Sequence, residues 1–472
     1  MKDEYLNYKD ISLKLDTKVS PSFCLAKWYH SNIYLQTGET HSCYHPAPHK
    51  ISIDEIKENP SALHNTSIKF TERNEMLNGK RPAGCKYCWN IEDINKELIS
   101  DRQIRTGSLY SEKRVDEILN NNKKYHVSPD YIEISFSNLC NFKCGYCHPK
   151  ASSRFLSEIQ QFGPYKDSVN HRCDIDWFKI YPEEDNPYLD AWWKWWPELS
   201  QQLKILRITG GEPLMQKSTF RLMDMMAQGE HSQLELNVNS NLGSNPKVIE
   251  NFGRQAQALV DNRKIKSFKL FTSLDSWGPQ AEYVRHGLNL SVFEHNLKSF
   301  LTQTTLPVTF MITFNIFCIP NFTQLLQKLL DWRAEFQSVQ TDPLLFHRIR
   351  FDISYLKEPL QFDINILPKD EFLPYLEESL EFIKKNIDDT SKRHFSYMEY
   401  QRFLRTYEYM KSTHYDDKKI VEGRKDFYTF FTEYDRRKNT SLQTTFPELG
   451  NFWSTCADMV NPKKGSQHAV PI

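Results

Sequence analysis

Residues 137–148 read SNLCNFKCGYCH, and the rest of the chain is interpreted around them. The cysteines Cys140, Cys144 and Cys147 are spaced C-x3-C-x2-C, and an aromatic residue, Tyr146, precedes the third. A structural zinc site is closed by four ligands, whereas three thiolates leave a metal centre with an open position. On a cubane iron–sulfur cluster, for which thiolate is the usual ligand, three cysteines leave one iron free to bind another group.

Two other interpretations of this stretch have to be weighed. The segment from Cys144 to His148 also matches C-x-x-C-H, the attachment pattern of c-type haem. Haem attachment normally takes place outside the cytoplasm, however, and the pattern leaves Cys140 unexplained. Alternatively, His148 completes a four-ligand zinc site with the three cysteines. The context in the rest of the chain favours neither of them.

The composition is typical of a folded globular protein: 39% of the 472 residues are apolar, 13% aromatic and 25% charged. The length predicts about two to three domains, or one large α/β barrel with additions. Sixty basic residues balance sixty acidic ones, so no overall field attracts nucleic acid or an anionic membrane. The start, MKDEYLNYKD, is too polar for a signal peptide, and no stretch approaches the ~18 apolar residues of a membrane span. We therefore expect a cytoplasmic protein with no membrane or nucleic-acid partner.

Ten cysteines in such a chain indicate metal or redox chemistry, because cytoplasmic thiols stay reduced. Four of them lie near the N-terminus, spaced C-x18-C-x41-C-x2-C: Cys24, Cys43, Cys85 and Cys88. Gly84 precedes the last pair, and a tight turn there can point two sulfurs at one ion. Four thiolates suffice to close a site, so structural zinc and an iron–sulfur cluster both fit this spacing.

Between residues 131 and 355, short apolar runs alternate with helical stretches. Six runs have the β-branched or aromatic character of strands: 131–137, 205–209, 234–239, 267–273, 307–314 and 347–354. Helical patterns separate them, at 220–228, 246–260, 291–301 and 322–336. Strands that alternate with helices form a parallel sheet with right-handed crossovers, and six such units predict an α/β fold, a partial (β/α)6 barrel.

Sites on such sheets lie at the carboxyl ends of the strands, and the three-cysteine loop begins where the first predicted strand ends. The second predicted strand ends in the sequence Gly210-Gly211-Glu212-Pro213. Two glycines let the backbone approach a ligand closely, and the proline stops the strand. Because both segments follow neighbouring parallel strands, we expect them to define one pocket.

The remaining segments carry less chemical information. The long connection 148–204 contains a run with four tryptophans, at 191–196, which we expect to pack in a helix. From residue 361 the apolar residues recur at helical spacing, which predicts a helical extension to residue 472. The isolated cysteines are predicted to be small buried residues, although a thiol facing a substrate could donate a hydrogen atom; they are Cys173, Cys318 and Cys456.

The spacing C-x3-C-x2-C with Tyr146, followed by Gly210-Gly211-Glu212-Pro213, resembles the radical S-adenosylmethionine (SAM) superfamily. The resemblance covers about residues 131–355. It implies that the three cysteines hold a 4Fe-4S cluster, that its free iron binds the amino and carboxylate groups of SAM, and that residues 210–213 orient the amino group. The family likeness also implies contacts to SAM at the ends of later strands, and a role for Tyr146 beside the cluster or adenine. These candidates are Asn239 and Ser240 for the ribose, and Ser273, Asp275 and Arg285 for polar and carboxylate contacts.

The N-terminal cysteines resemble the twitch type of auxiliary-cluster domain, which in many relatives follows the barrel and here precedes it. This implies a second 4Fe-4S cluster that transfers electrons. The expected organisation is an auxiliary domain at 1–110, a barrel at 125–360 and a helical extension at 361–472.

The resemblance implies a radical SAM enzyme that takes electrons from an external donor such as a flavodoxin or ferredoxin. A peptide or protein segment is the first expectation for its substrate, and a small metabolite such as a sugar or nucleotide derivative is the second. The alternative from another functional class is a non-catalytic interaction protein whose two cysteine groups bind structural zinc.

Overall fold

A single sheet organises the computed structural model, which describes residues 2–95, 98–120, 126–338 and 347–462, with side chains from residue 7 onward. Residues 463–472 of the predicted C-terminal extension lie outside the described residues. Within the described residues the sheet has nine strands: His30–Tyr34 (β1), Glu39–His41 (β2), His49–Lys50 (β3), Tyr131–Ser135 (β4), Ile205–Thr209 (β5), His231–Ser240 (β6), Ile265–Ser273 (β7), Val308–Phe314 (β8) and Ile349–Tyr355 (β9). Their spatial order is β3-β2-β1-β4-β5-β6-β7-β8-β9.

The six predicted strands correspond to β4–β9, and all of their neighbouring pairs are parallel. The prediction of an α/β fold with a parallel sheet is therefore confirmed, whereas closure into a partial barrel stays a prediction. Strands β6 and β7 begin earlier than the sequence indicated, at His231 and Ile265. The register between them is irregular at His231/Glu235, where the alternation of side chains breaks.

The sheet extends beyond the prediction at its N-terminal edge. Strand β1 pairs in parallel with β4, and β2 and β3 add an antiparallel ribbon outside it. The sequence did not reveal β1 because its polar residues are buried, which removes the usual alternation. Ser31, for example, accepts a hydrogen bond from the buried Lys69 ammonium at 3.0 Å. The separate domain expected at residues 1–110 stays a prediction.

The helices have the following bounds: Lys2–Lys18 (α1), Ala26–Tyr29 (α2), Ile53–Glu58 (α3), Ser67–Leu77 (α4), Lys86–Ile94 (α5), Asp101–Leu109 (α6), Glu112–Leu119 (α7), Ser153–Phe162 (α8), Pro187–Leu199 (α9), Lys217–Gln228 (α10), Pro246–Asp261 (α11), Pro279–Val284 (α12), Leu290–Gln303 (α13), Phe322–Glu335 (α14), Lys369–Lys385 (α15), Tyr397–Ser412 (α16), Asp417–Lys438 (α17), Leu442–Thr445 (α18) and Gly450–Val460 (α19). The helices predicted between the strands correspond to α10, α11, α13 and α14. None of the described helices is long and apolar enough to cross a membrane.

The parallel strands have one apolar and one polar face. In β8, Phe310 is buried and its ring stacks on Trp332 of α14, with centroids 5.4 Å apart, while Met311 is half-buried. Each fully buried aromatic side chain of this kind contributes about 1.5–3 kcal/mol to folding. The opposite face carries half-buried polar groups such as Arg207 and Thr209 of β5. The polar face thus provides lining for a cleft at the strand ends.

The tryptophans of α9 and the isolated cysteines pack as predicted. Trp192, Trp195 and Trp196 are at most 2% exposed and belong to the main core. The isolated cysteines are also buried, at Cys173, Cys318 and Cys456.

Candidate active site

The three-cysteine loop begins directly after β4 and is fixed by backbone hydrogen bonds to its neighbours. The Gly145 amide donates to the Val284 carbonyl, and the Lys143 amide donates to the His286 carbonyl, each at 2.9 Å. At the far end of the loop, the N-cap residue of α8, Ser152, donates to the Phe142 carbonyl at 2.6 Å. The loop is therefore held between α8 and the segment that follows α12.

The two-glycine segment after β5 is hydrogen-bonded to this loop. The Gly211 amide donates to the Ser137 carbonyl at 3.1 Å, and the Glu212 amide donates to the Leu139 carbonyl at 2.7 Å. A Cβ atom on residue 211 would lie 2.3 Å from the Leu139 carbonyl oxygen, so only glycine permits this approach. The two segments that the sequence placed on one rim are in direct backbone contact.

The carboxylate of Glu212 points away from the cleft. It is fully buried, and it accepts hydrogen bonds from the Ser240 hydroxyl at 2.8 Å, the Asn241 amide at 2.6 Å and the Leu214 amide at 3.0 Å. Burial raises the pKa of Glu212 to about 7, although these donors oppose the shift. Glu212 thus joins the ends of β5 and β6, and it does not line the cleft. Its contact to a cofactor stays a prediction.

One cleft of about 400 Å³ brings most of the predicted site together. Of the predicted residues, its lining contains Cys140, Cys144, Cys147, Tyr146, Gly210, Gly211, Pro213, Asn239, Ser240, Ser273 and Arg285. Glu212 and Asp275 do not line it. Sequence reasoning missed Thr209 and Phe271, which reach the cleft from β5 and β7. The strand alternation could have found both, since Thr209 shares a face with Arg207, and Phe271 shares one with Ser273.

The Asp275 carboxylate does not line the cleft and is hydrogen-bonded to other residues of the site. Its carboxylate accepts two hydrogen bonds from Arg285, from Nε at 2.8 Å and Nη2 at 2.9 Å. It also accepts from the Tyr146 hydroxyl at 2.6 Å and the Thr313 amide at 2.9 Å. Arg285 lines the cleft, and its guanidinium also interacts with the Cys144 thiol. The buried pair therefore fixes the position of the guanidinium at the cleft.

Replacing Asp275 by Asn is expected to destabilise the fold by about 3–5 kcal/mol, because it leaves the buried Arg285 guanidinium without its countercharge. Guanidinium chloride unfolding of the two proteins measures the difference. The matched control is Asp93→Asn, which breaks a comparable two-contact pair with Arg81 on the surface. That change is expected to cost less than about 1 kcal/mol. Equal losses in the two variants would contradict a role for burial.

The four N-terminal cysteines also lie around one cavity, of about 30 Å³. Cys24 precedes α2, which leads directly into the first residue of β1. Cys43 follows β2, whose last residue, His41, pairs with Asn32 of β1. Cys85 and Cys88 come from the start of α5. This cavity therefore lies at the amino end of β1, whereas the three-cysteine loop lies at the carboxyl end of β4.

Both cysteine sets are suited to a positively charged inorganic partner. Burial raises the pKa of Cys140, Cys85 and Cys88 to about 12, so a free thiolate is unfavourable at these positions and a cation is needed to stabilise it. Among the described residues, no three His, Cys, Asp or Glu side chains are close enough to share a single metal ion. A cubane cluster is held by one thiolate per iron, and four cysteines line one cavity and three line the other.

No protein-family model matches the chain, and no curated protein matches it. Among solved structures, it is similar to native anSMEcpe with bound AdoMet and Kp18Cys peptide, with 13% identity over 56% of this chain and a TM-score of 0.33. It is also similar to Streptococcus suis SuiB bound to S-adenosylmethionine, with 13% identity over 78% of this chain and a TM-score of 0.32, and to SuiB itself, with 12% identity over the same share and the same TM-score. The matches cover 63%, 69% and 68% of those chains, which is less than two thirds for the first. These similarities are weak, and the functional inference depends on the residues of this chain.

Proposed function

We propose that this chain is a radical SAM enzyme whose 4Fe-4S cluster is held by Cys140, Cys144 and Cys147. The observation that carries the proposal is the backbone contact between the three-cysteine loop and the two-glycine segment, which gives both a common cleft. Three thiolates around a cavity suit a cluster with one open iron, and the glycines leave room beside it for a bound cofactor.

When bound, the cluster supplies the electron that cleaves SAM to a 5′-deoxyadenosyl radical, which abstracts hydrogen from the substrate. The residues of this chain bind and orient SAM in the proposal. The Arg285 guanidinium, which Asp275 holds in place, would bind the carboxylate of SAM. The strand-end groups of Asn239 and Ser273 contact the ribose and neighbouring polar atoms.

The backbone of residues 210–213 orients the amino group, while the Glu212 side chain fixes that backbone against β6. Tyr146 donates its hydroxyl hydrogen to Asp275, so its ring is held in the cleft wall beside Cys144. Such fixed hydrogen bonds orient the groups that contact the cofactor. The chain thereby keeps SAM in one position relative to the three cysteines.

In the proposal the four N-terminal cysteines hold an auxiliary 4Fe-4S cluster that transfers electrons, and an external flavodoxin or ferredoxin reduces the enzyme. The substrate is a peptide or protein segment, by analogy with auxiliary-cluster relatives, and a small metabolite is the alternative. The cleft, of about 400 Å³, is within the usual size range of sites that hold one small molecule such as SAM.

Anaerobic reconstitution with iron and sulfide, followed by metal analysis, tests the assignment. Two clusters predict about eight irons per chain. Cys85→Ala is expected to lower this to about four irons and still to form 5′-deoxyadenosine from SAM and dithionite, since the three-cysteine loop is intact. Stoichiometric zinc without iron, and no cleavage of SAM, would instead identify a non-catalytic zinc protein.

A further inference from the structure

The cavity of the four N-terminal cysteines has a cationic lining. Lys27, Arg102 and Arg105 line it together with Cys24, Cys43, Cys85 and Cys88. Arg102 is surrounded by acceptors, because it pairs with Glu92 at 2.9 Å and with Asp16 at 3.0 Å. Lys27 comes three residues after Cys24 and is the most deeply buried ammonium at this cavity, with 2% of its residue surface exposed.

Among the described residues, Lys27 pairs with one carboxylate, that of Glu72. Its Nζ lies 2.5 Å from Oε2 of Glu72, and the two side chains are 3% and 19% exposed. A buried charge is costly to desolvate and is stabilised only by nearby countercharge. Four cysteine thiolates around an iron–sulfur core carry net negative charge, so a cluster at this cavity would provide further countercharge for Lys27.

Ser42 presents a second group to the same cavity. It is 2% exposed, lines the cavity and directly precedes Cys43. Among the described residues its hydroxyl has no hydrogen-bond partner. Buried hydroxyl groups are normally paired, so this one indicates an acceptor inside the cavity. The sulfur atoms of a cluster and its thiolates are acceptors for such a donor.

The three-cysteine cleft is lined by one arginine, Arg285, which is paired through two hydrogen bonds with Asp275. The four-cysteine cavity is lined by three lysine or arginine side chains, of which Lys27 pairs with Glu72 and Arg102 pairs with Glu92 and Asp16.

We propose that Lys27 and Ser42 set the reduction potential of the cluster held by the four N-terminal cysteines, Lys27 through its charge and Ser42 through a hydrogen bond to sulfur. The proposal rests on the auxiliary cluster of the proposed function. Reduction adds one negative charge to the cluster, and a nearby ammonium and an O–H donor both stabilise that charge. Each group therefore raises the potential.

Potentiometric titration of the reconstituted full-length protein, followed by electron paramagnetic resonance, tests this. Addition of SAM identifies the signal of the three-cysteine cluster, and the signal that SAM leaves unchanged belongs to the other. At a fixed applied potential, Lys27→Met is expected to lower the reduced-to-oxidised ratio of the SAM-insensitive cluster about tenfold, a downward shift of about 59 mV. Ser42→Ala should lower the ratio less, and Lys27→Arg should retain it.

Glu72→Gln reverses the sign of the change. It leaves the Lys27 ammonium in place and removes its carboxylate, so the potential is expected to rise. A merely structural disturbance would not produce opposite shifts in the Lys27→Met and Glu72→Gln proteins. The matched control for Ser42→Ala is Ser12→Ala, since Ser12 in α1 also has a buried, unpartnered hydroxyl among the described residues but does not line the cavity.

Two outcomes overturn the inference in distinguishable ways. A SAM-insensitive cluster whose potential is unchanged in the Lys27→Met, Ser42→Ala and Glu72→Gln proteins would refute the roles of Lys27 and Ser42 and leave the auxiliary cluster standing. Stoichiometric zinc with about four irons per chain would refute both the auxiliary cluster and its tuning, while SAM cleavage at the other site continued.

Discussion

Replacement of Cys144 by alanine is expected to abolish the reductive cleavage of SAM. Cys144 is 8% exposed and lines the cleft between Cys140 and Cys147. Two remaining thiolates do not retain a cubane cluster, and the cluster supplies the chemistry of the reaction. Formation of 5′-deoxyadenosine should fall more than about 10³-fold, and bound iron should fall from about eight to about four per chain.

Cys456→Ala is the matched control for this change. Cys456 is equally buried, but it lies in α19 and does not line the cleft. Its removal should leave both iron content and SAM cleavage near the wild-type values. Full cleavage by the Cys144→Ala protein would show that the three-cysteine loop does not hold the reactive cluster.

Gly211→Ala is expected to separate the two segments that form the cleft. The added Cβ would lie 2.3 Å from the Leu139 carbonyl oxygen and 2.7 Å from that of Asn138. Both atoms belong to the backbone of the three-cysteine loop, so the contact is relieved only if the loop moves. A displacement of about 1 Å at a reacting centre costs on the order of 10²-fold in rate, and overpacking costs about 1–3 kcal/mol of stability.

SAM-dependent formation of 5′-deoxyadenosine and chemical unfolding measure these two effects. Gly450→Ala is the control, because a Cβ at the start of α19 meets no atom within 4 Å. It should change neither quantity by more than a few tenths of a kcal/mol or about twofold. If Gly211→Ala behaves like Gly450→Ala, the close approach of the two segments is not needed for cofactor binding.

The sequence predicted the six parallel strands because their apolar runs are separated by clear helical patterns. It also placed the three-cysteine loop and the two-glycine segment on one rim, since that rim follows from the direction of parallel strands. Neither prediction required knowledge of a side-chain orientation.

The features that the sequence did not predict depend on contacts between residues of different structural elements. Strand β1 escaped prediction because its polar groups are buried and satisfied by residues of other elements, such as Thr40 in β2 and Lys69 in α4. Glu212 matched a motif, but its orientation is decided by donors from the end of β6. Asp275 likewise matched a contact position and is used to hold Arg285. Local sequence carries no signal for partners of this kind.

The parallel pairing of β1 with β4 fixes the distance between the two cysteine sites along the sheet. His30 pairs with Tyr131 and Tyr34 with Ser135, so one site precedes the first pair and the other follows the last. Each residue along a strand adds about 3.3 Å. The spacing is thus set by strand length and register and is independent of any flexible linker. Sliding β1 by two residues would preserve its faces and move its site by about 6.6 Å relative to the other.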